Sequence, residues 1–147
     1  MNEKVQEFES ALALIREAQA VRQPLNRYHA RAVLLPLGEL LSAEDPAAGR
    51  SGVEELRRLI GPVRAGWRKA VEDELEMAIT EFAMSIDQRY LARPDYDFAY
   101  TLEARRRISV RLAAARALEI ELPAIGERAL SIADREFAPY LDRARPG

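Results

Sequence analysis

Arg105, Arg106, Arg107, Arg111 and Arg116 crowd into one short stretch and form the most conspicuous charge cluster of the sequence. A guanidinium fork matches a phosphate or carboxylate in bidentate geometry, so Arg107 and Arg111, one helical turn apart, are candidate anion ligands. The same cluster raises nucleic-acid binding as an alternative. The net charge of −2, however, gives no general attraction to a polyanion, so nucleic acid is not the expected partner.

The stretch before it is acidic, with Glu72, Asp73, Glu74, Glu76 and Glu81. A turn centred near Pro94 would fold the two stretches against each other. Glu81 then falls opposite Arg107, Glu76 opposite Arg111 and Glu72 opposite Arg116. Exposed pairs of this kind contribute about 0–1 kcal/mol each, so their expected use is register and partner choice. A metal site is the alternative: Glu72, Asp73 and Glu76 as magnesium ligands, with Arg107 and Arg111 on a phosphorylated substrate. The Glu-x-x-Glu and Glu-x-x-Asp spacings of helical carboxylate sites are absent, and only Asp73-x-x-Glu76 comes near them.

A third constellation is aromatic. Tyr90, Arg93, Tyr96, Phe98 and Tyr100 fall within one turn-forming segment. Aromatic rings beside arginine are the composition of interface hot spots and of planar-ligand pockets. The same rings also suit an apolar plug closing the end of a bundle, with the tyrosine hydroxyls in water.

Catalytic constellations are not found. His29 is the single histidine, with no acid three residues before it, which removes the Glu-x-x-His pairing of di-metal bundles. Cysteine is absent, no serine sits in a Gly-x-Ser-x-Gly setting, and the seven glycines form neither a phosphate loop nor a dinucleotide fingerprint. No catalytic residue, cofactor or resident metal is expected.

Helices must position these side chains. Val5, Phe8, Leu12 and Ile15 recur at 3-4-3 spacing, and Gln23-Pro24 ends that stripe. A second stripe runs from Pro24 through Val33, Leu34, Leu37 and Leu41, with Pro36 inside it. Residues 42–52 are the longest expected loop, and Ser51 with Glu54 reads as a capping box for a short helix. A helical beat from Pro62 to Tyr90 predicts one long helix, followed by a helix carrying Phe98 to Leu118 and a last one through Phe137 and Leu141. No alternating β-branched run appears. The expectation is an all-α, single-domain chain: an up-down helical bundle of four main helices plus short or kinked segments, with no sheet.

Composition bounds the rest. At 147 residues and 48% hydrophobic content the chain can bury a core without disulfides. Absent cysteine, a missing apolar leader and no apolar run of membrane-spanning length point to a cytoplasmic protein that avoids membranes. Only Lys4 and Lys69 of the 22 basic residues are lysine, a bias of GC-rich bacterial coding. The function expected from these features is a non-enzymatic interaction or regulatory protein that forms a homodimer or engages a protein partner. Binding or metal-dependent hydrolysis of a phosphorylated small molecule is the alternative.

Overall fold

The computed structural model describes residues 2–144, apart from the side chains of Gln88 and Ala144, and every regular element among them is helical. The helices are α1 (Glu3–Ala20), α2 (Arg27–Leu41), α3 (Ala47–Ile60), α4 (Arg64–Ser85), the single turn α5 (Gln88–Leu91), α6 (Ala99–Ala117), α7 (Ala124–Phe137) and the short α8 (Leu141–Ala144). Among the described residues there is no strand, and no helix is long and apolar enough to cross a membrane.

α2 is the centre. It packs against α1, α3, α4 and α6, while α4 and α6 also pack on each other and α7 lies along α4. Its sequence suits that place, because Ala30, Val33, Leu34, Leu37 and Leu40 bury on several sides rather than along one stripe. Gly38 permits the closest crossing. A Cβ there would overlap the Val110 carbonyl, so α2 and α6 meet backbone to backbone. The α1 stripe of Phe8, Ala11, Leu12 and Ile15 is buried as its spacing predicts.

The ends follow local chemistry. Asn2 accepts the Lys4 N–H at 2.7 Å and starts α1. Arg22 (φ 56°) and Glu119 (φ 64°) occupy left-handed positions just beyond α1 and α6. There Gln23 N–H reaches Ala18 O at 2.8 Å and Ile120 N–H reaches Ala115 O at 2.9 Å, the Schellman pattern without glycine.

Two expected boundaries move. α3 begins at Ala47, so Ser51 and Glu54 lie inside a helix rather than capping it; Asp45 Oδ1 accepts the Ala47 N–H at 3.1 Å instead. Gly49 is pressed against the Leu40–Leu41 backbone and Gly52 against the Phe8 ring, so these glycines serve close packing where a loop was expected. The long helix expected to reach Tyr90 stops at Ser85, whose hydroxyl donates to Phe82 O at 2.6 Å. Asp87 then accepts the Arg89 N–H at 2.9 Å and opens α5. As for the prolines, Pro36 stays within α2, Pro123 precedes α7 and Pro139 lies in a 3-10 turn.

Candidate functional site

Glu74 and Arg111 are buried inside the bundle. Each lies on the packed face of its helix, Glu74 between Val71 and Ala78 on α4 and Arg111 between Ile108 and Ala115 on α6. They are 2% and 4% exposed. Arg111 Nη2 stands 3.9 Å from Glu74 Oε1, an ion pair without a hydrogen bond, and Arg27 Nη1 reaches Glu74 Oε2 at 3.5 Å. Burial pushes the Glu74 carboxyl above its ordinary pKa, against the pull of Arg111, Arg31 and Arg27. Burial likewise lowers the Arg111 guanidinium, with Glu74 opposing and Arg31 and Arg107 adding to the fall. The Arg111 Nε–H is sealed from solvent with no acceptor, an arrangement that costs about 1–3 kcal/mol.

Arg111 also borders a cleft. This cleft of about 390 Å³ is lined by Glu7 of α1, by Tyr28, Arg31 and Ala32 of α2, and by Arg107 and Arg111 of α6. Three arginines therefore face one carboxylate. Arg31 is exposed and has no ion-pair partner among the described residues. Pro36, also on the cleft wall, has no N–H, so the Ala32 carbonyl lacks its usual helical donor. The cleft thus offers guanidinium donors, which suit a compact anion. Arg107 and Arg111 also border a second cavity of about 360 Å³, shared with Glu81, Tyr100 and Glu103.

The structure brings some expected site residues together and separates others. Arg107 and Arg111 share both cavities, and Tyr100, 65% exposed, joins them at the second. Tyr96 and Phe98 instead form the plug: their rings meet edge to face at 4.9 Å, and Phe98 packs against Phe137 and Tyr140. The Tyr96 hydroxyl donates within 3.4 Å of Ser85 O or shares a proton with Thr101 Oγ1 at 3.3 Å. Tyr90 stays outside, with Arg93 over its ring at 5.3 Å.

The expected cross-hairpin pairs do not form. Among the described residues Arg107 pairs with Glu103 at 3.2 Å and Arg111 turns inward to Glu74, while Arg105 holds Asp134 at 2.8 Å and Arg106 holds Glu39 and Glu103 at 2.8 Å. Hydrogen bonds, from Arg106 first, draw the Glu103 carboxyl down to about 2. Nor do Glu72, Asp73 and Glu76 converge. Asp73 is held by Lys69 at 2.6 Å, and among the described residues no group of three or more acids and histidines is placed to hold a metal ion. His29 is a capping residue, its Nδ1 accepting the Asn26 N–H at 3.1 Å.

Glu74, Arg27 and Arg31 escaped the sequence reading as site residues. The signal for Glu74 was present, since a carboxylate at an apolar-stripe position must find a buried partner. No protein-family model, curated protein or solved structure matches the chain.

Proposed function

We propose that this chain is a non-enzymatic binding protein for a compact anion, of which the phosphoryl group of a phosphorylated small molecule is the best-fitting class. The observation that carries this reading is Arg111: a guanidinium 4% exposed, without a hydrogen bond to Glu74, lining a cleft shared with Arg31 and Arg107. An arginine this buried is normally satisfied by two or more charge-assisted bonds. A tetrahedral oxyanion in the cleft supplies them.

Titration calorimetry with inorganic phosphate and with glycerol phosphate tests the reading. Arg31→Gln is the informative variant, because Arg31 is exposed and unpaired and its loss leaves the core intact. The expected result is phosphate binding weakened about tenfold, equivalent to about 1.4 kcal/mol, with an unchanged melting temperature in the absence of ligand. Equal binding by both proteins, or none by either, would sink the proposal.

Self-association is a second reading, favoured by a separate observation. Ile125 and Ile132, two turns apart on one face of α7, are 73% and 43% exposed. A regulatory protein that binds a metabolite and pairs through this face accommodates both.

A further inference from the structure

We propose that anion capture in the cleft between α1, α2 and α6 is coupled to proton uptake by Glu74, so that ligand and carboxylate share one guanidinium. The inference rests on the anion-binding reading above and adds its regulation.

Arg111 is paired with Glu74 and also lines the cleft, whose wall does not include Glu74. With Glu74 Oε1 3.9 Å from Arg111 Nη2, the same positive charge serves the buried carboxylate when the cleft is empty and the anion when it is filled. The other charges acting on Glu74 are Arg27 and Arg31 of α2. α7 also packs on α4, but its buried face of Leu130, Ala133 and Phe137 is apolar. Among the described residues Arg27, 3.5 Å from Glu74 Oε2, and Arg31 are the cations left to Glu74 when the Arg111 charge is shared with an anion.

An anion held by Arg111 adds a negative charge one guanidinium away from a desolvated carboxylate, where Coulomb interactions are weakly screened. The bound state then holds a proton on Glu74 more tightly than the free state does. Burial has already moved this carboxyl upward. By linkage, the effect is reciprocal: a group that gains proton affinity on binding makes binding stronger as pH falls. One proton from solvent enters with the anion and offsets one unit of the negative charge that it adds.

Sulfate is the suitable probe, because it does not titrate across this range and phosphate does. Calorimetry of the wild-type protein with sulfate, repeated in two buffers of different ionisation enthalpy, reads proton uptake directly. The expected result is a buffer-dependent heat equivalent to as much as one proton per sulfate, with affinity rising by up to about tenfold per pH unit as pH falls. Glu74→Gln should bind sulfate without that slope. Glu7→Gln, which removes the carboxylate of the cleft itself, and His29→Gln, which removes the neighbouring imidazole, should keep it.

Each failure is distinguishable. If sulfate and phosphate both give no heat, the anion-binding reading itself falls. Sulfate binding with equal heats in both buffers and no pH dependence overturns the coupling alone. A slope that survives Glu74→Gln moves the proton elsewhere and overturns the assignment to Glu74. Should Glu74→Gln fail to fold, the two-buffer measurement on wild type still decides whether a proton enters.

Discussion

Glu74 and Arg111 break the apolar stripes of α4 and α6, and the site follows from that break. The arginine cluster placed Arg111 among candidate anion ligands, yet a hairpin register centred near Pro94 assigned its partner to Glu76, an exposed residue. The reason is that a hairpin register matched by charge assumes outward-facing side chains, whereas both of these point into the bundle. Glu103 provides the contrast: it is 43% exposed and shared by Arg106 and Arg107. Its folded-state pKa of about 2 lies below the ordinary 4.5. A depressed carboxylate stabilises the fold above its unfolded pKa and loses that contribution as pH falls from 4.5 toward about 2. Glu103→Gln should therefore flatten the fall in stability across that window and leave the limb near neutrality little changed in slope. Denaturant melts at a series of acid pH values would show it, and an unchanged acid limb would refute it. Glu74 has the opposite sign. Its raised pKa means that its ionised form opposes folding, so its contribution improves as pH falls through the folded value.

Helix contacts hold the cleft open, and glycine marks where they are tight. All-α architecture, the α1 stripe and the positions of α2 and α6 were legible because a period near 3.6 is a strong signal over fifteen residues or more. The start of α3 was not, because Gly49 and Gly52 look like loop residues until Leu41 and Phe8 are known to press on them. The end of α4 was hidden for a related reason: Ser85 and Asp87 redirect local hydrogen bonds without interrupting the apolar beat. Gly38 and Gly66 give a paired prediction. Gly38→Ala drives a methyl into the Val110 backbone and must part α2 from α6; an overpacked core position of this kind costs about 1–3 kcal/mol. Anion affinity should fall with it, since Arg31 and Arg107 lie across the same crossing. Gly66→Ala meets nothing within 4 Å on α4 and should stabilise by about 0.4–1 kcal/mol with unchanged anion binding. Chemical denaturation alongside phosphate titration checks both. A Gly38→Ala protein that bound phosphate normally would detach the cleft from the α2–α6 contact.

At the scale of the whole molecule, a chain of net charge −2 gathers Arg31, Arg107 and Arg111 around one cleft while pairing Arg27 with Glu74 and Arg105 and Arg106 with acids elsewhere. Local concentration of charge within a near-neutral surface favours a small ligand over a long polyanion, because a duplex needs many phosphate contacts along an extended face. The aromatic end was readable only in part. Composition could not separate Tyr96 and Phe98, which seal the bundle against Phe137, from Tyr90 and Tyr100, which remain exposed. The long-range packing of α7 decides that division, and no local pattern encodes it. The same helix carries the self-association reading. Its inner face is committed to the core through Leu130, Ala133 and Phe137, and its outer face shows Ile125 and Ile132 to solvent. Exposed isoleucines two turns apart on one helix face gain from burial against a second copy, at about 25 cal/mol per Å² of apolar surface removed from water. Light scattering after size exclusion should find a dimer that persists from low to high salt, since apolar contacts are insensitive to screening. Ile132→Glu should convert it to a monomer with an unchanged melting profile, because the side chain is already half exposed. A wild-type monomer at high protein concentration would remove the dimer. A dimer that dissolves in salt would instead place the interface on charged surface away from Ile132.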